Sequence, residues 1–479
     1  MSKDEDAFIP HSNFPCGADG SGYYSDNTLC CYKLIYEAAP LVLDAIKLAS
    51  VKPGSVFTIA DYGCADGGTS MPLLYTCVQE LRKIHGDDFS INVIYEDQPV
   101  NDFKSLFLRL QGFMPGPKSY LLNFPDVFVT TCGTNFYSQC FPPQTVNLAF
   151  SATAFHWLNI KPCDITGALD HTMITIPEEA EVSKKQAAKD WETILLNRAK
   201  ELAPGSRMIL VQLVIDKEGQ RAGTTKGTRV SAHHMLSELW QGLVTDGLIT
   251  QLPREEVNGL MDIILRSMQL VGHASATLSH KRRVAVLSKV NKAYADLDKD
   301  KFREAGNDLF SARRLESSED EQVDILEART ENEFHNTTFA YYVRTENEFR
   351  KPFESKDSPV RKAGLSLISV ETKVVLCPYK EKWLKNGGDP KEHAHWYIPA
   401  IRAWSNTTFA SGLSDSRSSE EKERIVDELF QRYENEVAKC PEDHGLTLSM
   451  LTWSLEKRRG TPFMDAALLE YVPKLSEFN

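Results

Sequence analysis

Two carboxylates and a run of glycines stand where a chain could grip a nucleotide-like ligand. Asp61 closes an apolar run over residues 56–60, and the turn Gly63-Cys64-Ala65-Asp66-Gly67-Gly68 follows almost at once. Asp97 closes a second, β-branched run over residues 90–95, directly after Glu96. In an α/β unit, glycine after the first strand lets a ligand approach the backbone, because no Cβ stands in the way. An acid at the end of the second strand accepts hydrogen bonds from ribose hydroxyls. No phosphate-binding lysine follows the glycines, and Asp61 would repel a phosphate. Asp61 suits a ligand with an ammonium group. The glycines alone leave two other readings open: a tight turn that binds nothing, and a nicotinamide dinucleotide site.

A second group of candidates sits at the end of a short apolar strand over 146–150, where Ser151-Ala152-Thr153-Ala154-Phe155-His156-Trp157 begins. His156 is the best available general base should an acceptor carry an N–H or O–H group; otherwise it is a packed histidine. A carboxylate acceptor would need no such base, because it is already ionised at neutral pH. The adjacent pair Cys30-Cys31 reads as an inert helix start rather than a nucleophile.

The elements that must position these groups follow from periodicity. Leu73, Leu74, Cys77, Val78 and Leu81 recur at helical spacing after the glycine turn. Helices are expected over 29–48, 101–110, within 178–203 and over 420–437, with Pro204-Gly205 ending the third. Strands are expected over 208–214, 365–375 and 446–455, and residues 120–129 are ambiguous. Strands alternating with helices imply a largely parallel sheet covered on both faces. Residues 1–30, with Gly17, Gly20 and Gly22, read as an ordered loop or lid. Residues 231–270 are helical throughout, with Met235, Leu236, Leu239 and Trp240 followed by Val257, Leu260, Met261 and Ile264, a candidate inserted cap. Residues 279–335 are highly charged and read as solvated. Arg-Thr-Glu-Asn-Glu-Phe occurs at 329–334 and 344–349, too few copies for a repeat fold.

Composition excludes several classes. With 479 residues, 42% of them hydrophobic, the chain can build a large core, and a net charge of −12 argues against nucleic-acid binding and a polybasic membrane anchor. No apolar run is long enough to span a bilayer and the N-terminus is no signal peptide. The 10 cysteines show no metal-ligand rhythm and no C-x-x-C, so reduced thiols and a cytoplasmic location are expected. The sequons at Asn336 and Asn406 are then chance matches.

The motifs together resemble the SABATH family of S-adenosylmethionine-dependent carboxyl and N-methyltransferases. The family's I-A-D-L-G-C-x-x-G is similar to residues 59–67, its N-D-L-P-x-N-D-F-N to 96–104, its G-S-F-Y-x-x-L-F-P to 133–142 with one extra residue, and its S-S-x-x-L-H-W-L-S to 151–159. Its N-terminal S-Y-A-x-N-S-x-x-Q is similar to 23–31. The resemblance implies a Rossmann-like class I methyltransferase core of α/β type with an inserted α-helical cap. The corresponding division is a lid segment at 1–30, a cofactor-binding core at 31–215, a cap with a charged insertion at 216–340, and a C-terminal part of the core sheet at 341–479. It implies that Asp61 and Gly63 line the methionine end of S-adenosyl-L-methionine, that Asp97 binds its ribose, and that Gln98, Asn135 and Phe136 surround its adenine. Tyr24 and Asn27 would close a lid over cofactor and substrate. Trp157 would donate its indole N–H to a small-molecule acceptor carboxylate, with His156 beside it. Cys31 departs from the pattern: it stands where the family has a carboxylate-binding glutamine, and a thiol is a weak donor. That leaves a ring nitrogen or amine as an alternative acceptor, and a catalytically silent binding protein of the same fold as another reading. No metal is carried over, since the positions around 332–336 match poorly. A homodimer is implied by the family alone.

Overall fold

The computed structural model describes residues 16–49, 51–52, 54–220, 228–251 and 333–459. In chain order these form α1 (Tyr23–Asn27), α2 (Leu29–Leu48), β1 (Phe57–Tyr62), α3 (Met71–His85), β2 (Ile91–Asp97), α4 (Phe103–Leu110), β3 (Val127–Gly133), β4 (Val146–Ala152), α5 (Pro177–Glu201), β5 (Leu202–Ile215) and α6 (Ala232–Thr245). After them come α7 (Glu333–Asn336), β6 (Arg344–Thr345), α8 (Glu346–Glu354), α9 (Pro359–Lys362), β7 (Leu365–Val375), α10 (Pro378–Lys385), α11 (Pro390–Gly412), α12 (Ser419–Lys439) and β8 (Leu448–Lys457).

The strands form one mixed sheet in the order β3-β2-β1-β4-β5-β8-β7, with β6 paired to β5 beyond that path. β3, β2, β1, β4 and β5 are parallel neighbours, and β8 runs antiparallel to both β5 and β7. Every residue of β1 is buried. Its side chains alternate between two cores, as period-2 geometry requires. Phe57 and Ile59 join Val93, Leu148 and Ile209 against Leu34, Leu74 and Val78 of α2 and α3. Ala60 and Tyr62 join Ala149, Leu210 and Trp453 against Trp191 and Ile194 of α5 and Phe349 of α8. The sheet is therefore covered by helices on both faces.

The structure differs from the sequence expectation in several places. The N-terminal segment is not only loop: α1 forms there, and Ser25 is buried. α5 ends at Glu201 and β5 begins at once, so its stop lies before Pro204-Gly205. The ambiguous stretch 120–129 divides into Tyr120, buried with its hydroxyl 3.0 Å from that of Tyr95, and the start of β3 at Val127. The helical layer α10–α12, inserted between β7 and β8, makes the C-terminal region more than sheet; of it only α12 is legible from periodicity. Of the expected cap, α6 and the stretch 333–340 are described; Val257, Leu260, Met261, Ile264 and the charged run up to 332 lie outside the described residues. Among the described residues, no helix is long and apolar enough to cross a membrane.

Candidate active site

Strand order reverses between β1 and β4, and such a switch point opens a crevice at the C-terminal ends of the strands. Two cavities meet there. The first, with roughly 860 Å³ of open space, is walled by the loops after β1, β2, β3 and β4, including Gly63, Asp66, Asp97, Gln98, Asn135 and Phe136. The second, with roughly 690 Å³, is mostly apolar, with Leu34, Leu213, Tyr341, Trp404, Leu446 and Leu448 in its wall beside Cys30, Cys31, His156 and His233. Both volumes include open solvent. Tyr24, Thr153 and Trp157 line both cavities.

The polar cavity is held by backbone geometry. Gly63 has φ +70°, and a Cβ there would stand 2.3 Å from Ala154 Cβ, so only glycine lets β1 and β4 approach this closely. Asp97 accepts from Ala65 N and Gln98 N, both at 2.8 Å. Each carboxylate oxygen has a second lone pair, which leaves capacity for ligand hydroxyls. Burial raises Asp97 to about 6 against these two amide bonds, so it is ionised at neutral pH. Asn135 Oδ1 is buried without a hydrogen-bond partner, a group that calls for a ligand donor. Phe136 lies 4.9 Å from Phe155 and 4.7 Å from Tyr137, ring to ring.

Three buried arginines position these walls. Arg198 of α5, paired with Glu201 at 2.8 Å, donates to the carbonyls of Phe136 and Ser138 at 2.8 and 2.7 Å. Glu201 in turn accepts from Cys140 N and from the Tyr62 hydroxyl, both at 2.6 Å. That network fixes the loop carrying Asn135 and Phe136. Arg109 of α4 donates to Gly22 O at 2.8 Å and to Asp26 at 2.7 Å, and lies 3.6 Å from Asp66. Asp66 accepts from Ser25 N at 3.0 Å and from the Ser25 hydroxyl, tying α1 to the glycine turn. Arg344 donates to Phe155 O and Ala187 O at 2.8 and 2.7 Å, bracing the segment that bears His156 and Trp157.

Most of the residues expected from sequence come together here, and two do not. Gly63, Asp97, Gln98, Asn135, Phe136 and Tyr24 line the polar cavity; Cys31, His156, Trp157 and Tyr24 line the apolar one. Asp61 is absent from both walls. Its carboxylate is buried and accepts from the Ser70 hydroxyl at 2.6 Å, and burial raises it to about 7. A side chain at the end of a fully buried strand points into a core; Asp66 of the turn belongs to the polar wall, but its carboxylate is equally buried and engaged by Ser25 and Arg109. Asn27 is also absent: its amide donates to Tyr23 O at 2.8 Å and its carbonyl accepts from the Tyr379 hydroxyl at 2.6 Å, so it ties α1 to α10.

The electrostatics of the apolar cavity separate its groups. His156 is pushed down to about 3 by burial and by the positive charges of Arg344 and His233. A histidine neutral at all moderate pH values is a poor general base, contrary to the role that sequence left open for it. Trp157 is buried, its carbonyl accepts from the Tyr137 hydroxyl at 2.6 Å, and its indole N–H is engaged by no described residue. Cys31 lies in the first turn of α2, 3.5 Å from the Tyr24 hydroxyl. Hydrogen bonds from Cys30, Tyr24, Thr153 and Thr28 draw it down to about 7 against its burial.

Sequence reasoning missed Thr153, which bridges the two cavities with φ +50°, unusual for a β-branched residue. It missed Asp66 as the tie between the glycine turn and α1, although that residue lies inside the turn. It also missed Tyr341, Trp404, Leu446 and Leu448, whose segments carry no motif.

Known proteins resemble this chain in sequence and in fold. Residues 13–258 match the model of the SAM dependent carboxyl methyltransferases. Among curated proteins, methyltransferase FUS9 of Gibberella moniliformis is 28% identical over 191 residues, which is 40% of this chain and 50% of that protein. Salicylate/benzoate carboxyl methyltransferase of Arabidopsis thaliana is 23% identical over 253 residues, 50% of this chain and 65% of that protein. The chain thus spans about half to two thirds of the length of these relatives. A structure of loganic acid methyltransferase with SAH superposes with a TM-score of 0.59 at 15% identity, covering 94% of this chain and 100% of that one, a likeness of fold. The matched half of the chain carries the glycine turn, Asp97, Asn135 and Trp157, and by that match the chain belongs to the SABATH family of S-adenosylmethionine-dependent carboxyl methyltransferases.

Proposed function

We propose that the protein transfers a methyl group from S-adenosyl-L-methionine to the carboxylate of a small, largely apolar organic acid, giving a methyl ester. The observation that carries this reading is the pair of cavities sharing Tyr24, Thr153 and Trp157 as a common wall. The polar cavity takes the donor and the apolar cavity the acceptor, so the methyl passes at the shared wall.

The residues of the polar cavity fit the donor. Asp97 accepts from its ribose hydroxyls, the unpartnered Asn135 Oδ1 accepts from the adenine amine, and Phe136 packs on the adenine. When bound, the donor supplies a methyl activated by its sulfonium. The protein orients the acceptor with the free indole N–H of Trp157 and excludes water with the leucines and aromatics of the second cavity. Alignment of this kind is worth up to roughly 7–11 kcal/mol in well-oriented systems. No proton need move, which is consistent with the suppressed basicity of His156.

A second reading has its own support. The Cys31 thiol, drawn down to about 7 in the acceptor wall, places partial negative charge where a carboxylate would sit. That environment favours a ring nitrogen or an amine. A panel of small acids and amines with methyl-labelled donor separates the two: a base-labile labelled product supports the ester, and a base-stable one supports the amine. Binding of S-adenosylhomocysteine without transfer to any acceptor would leave a ligand-binding protein instead. In keeping with the family, we propose a homodimeric cytoplasmic enzyme, tested by sedimentation and by localisation of the full chain.

A further inference from the structure

Helices cover both faces of the sheet, but its end at β7 is open. Among the described residues, β7 pairs with β8 along one edge and with no strand along the other. An edge strand offers a row of unpaired backbone N–H and C=O groups to a partner. Proline, a bulge or an inward-pointing charge blunts such an edge. β7 contains no proline. Its register shifts only between Leu367 and Ser369, so the seven residues from Ser369 to Val375 pair without a break with Ser454 to Leu448.

That unbroken stretch has Thr372 at its centre. Side chains alternate along it, so Val370, Thr372 and Val374 share one face and Glu371 and Lys373 the other. Val370 packs on the core that holds Trp191 and Trp453, and the Thr372 hydroxyl donates to Glu346 of α8 at 3.4 Å. Val374, on the same face, is half exposed, as are Ile368 and Leu376 at the two ends of the stretch. Lys373 Nζ lies 3.4 Å from Glu371 Oε1, and both side chains reach solvent.

This pattern is self-complementary. Let a second copy of β7 lie antiparallel, with the two-fold axis perpendicular to the sheet at Thr372. Val370 then faces Val374 of the second copy, Glu371 faces its Lys373, and each pair occurs twice, as an isologous contact requires. An axis at Glu371 or at Lys373 would set that charge directly against its own copy, which is destabilising in a facing pair. The register that uses the whole unbroken stretch is therefore also the one that pairs its charges.

Resting on the homodimer reading, we propose that the outer edge of β7 is the interface, with a second copy of this chain paired antiparallel about Thr372 so that the two sheets continue as one. The occupant is another β7, recognised by backbone hydrogen bonds, two reciprocal Glu371–Lys373 pairs and the cover given to Val374.

The test is sedimentation velocity of the full chain over a concentration series. Wild type should dimerise. Glu371→Lys and Lys373→Glu should each weaken the dimer by roughly tenfold or more, since each puts like charges opposite one another at two places. An equimolar mixture of the two variants should regain association, and so should the variant carrying both substitutions. The mixture is the decisive arm: neither chain in it recovers the pair within its own strand, so only pairing between strands explains the recovery. Neither residue lines a cavity, so S-adenosylhomocysteine binding reports that each variant is folded. A dimer as tight in both single variants as in wild type, or a mixture no tighter than its components, overturns the interface while the homodimer stands. A wild-type chain that stays monomeric sinks the homodimer reading itself, and this interface with it.

Discussion

The donor cavity and the acceptor cavity share a wall but are built on different principles. The donor side is made of loops that directly follow β1, β2, β3 and β4, clamped by buried charge pairs such as Arg198–Glu201 and by the Arg109–Asp66 network. The acceptor side is assembled from side chains far apart in sequence, with Leu34, His233, Trp404 and Leu446 coming from separate elements. A ligand common to a family can be met by fixed backbone at a sheet edge. A ligand that varies is met by interchangeable apolar side chains on helices packed over that edge. The difference predicts that damage to the donor side spreads into stability, whereas changes on the acceptor side alter affinity and selectivity.

The largest effect should come from breaking a donor-side clamp. Arg198→Met leaves Glu201 buried without its partner, and such losses cost about 3–5 kcal/mol. Denaturant unfolding should read that loss, with a concomitant fall in donor affinity as the loop carrying Asn135 and Phe136 loosens. Stability close to wild type would mean that the loop is held without the pair. Next in size is Asp97→Asn, expected to weaken S-adenosylhomocysteine binding by about 1.5–3 kcal/mol with little change in unfolding. The same interaction sets a pH dependence. Asp97 is raised to about 6, so its ionised form disappears as pH falls through that value and donor affinity should fall with it. Affinity flat across this range would argue that the ribose is held elsewhere.

On the acceptor side, Trp157→Phe keeps the ring but removes the indole N–H. The KM for an acid should rise roughly tenfold, the usual worth of a hydrogen bond to a charged group, while donor affinity holds within a few-fold. An equal loss for both ligands would place Trp157 in general packing. The smallest effect belongs to Cys31. Its thiol titrates at about 7, so the thiolate appears above that pH and repels an acid. KM for the acid should rise on that limb by on the order of fivefold, the equivalent of ~1 kcal/mol between like charges at ~4 Å in a water-like medium. Cys31→Ser should flatten the limb; an unchanged limb would show that another group titrates there.

This contrast also explains what could be read in advance. The parallel core was legible because β1 and β2 are largely apolar and β-branched and α3 has clean helical spacing. Gly63 and Asp97 could be singled out from the strand ends they follow, whereas Asn135, Phe136 and Trp157 came from the family resemblance; all five are in the cavity walls. Asp61 lies outside both walls for a reason that spacing does not carry: strand alternation turns it toward Ser70. Asn27 looked like a lid residue but serves as a tie between α1 and α10. Tyr341, Trp404, Leu446 and Leu448 were illegible because an apolar side chain in a cavity wall has the same sequence signature as one in a core. His233 was hidden in a helical pattern, and Asp170, 3.9 Å from its ring, lies 63 positions earlier, a proximity that only the fold reveals.

The central claim is the division of labour across the wall of Tyr24, Thr153 and Trp157. The most direct measurement is a crystal structure of the full chain with S-adenosylhomocysteine and an apolar carboxylic acid. The account predicts the ribose hydroxyls on Asp97, the thioether sulfur at the shared wall, and the acid in the second cavity with its carboxylate at the Trp157 indole. Both ligands in one cavity, or the nucleoside away from Asp97, would contradict it.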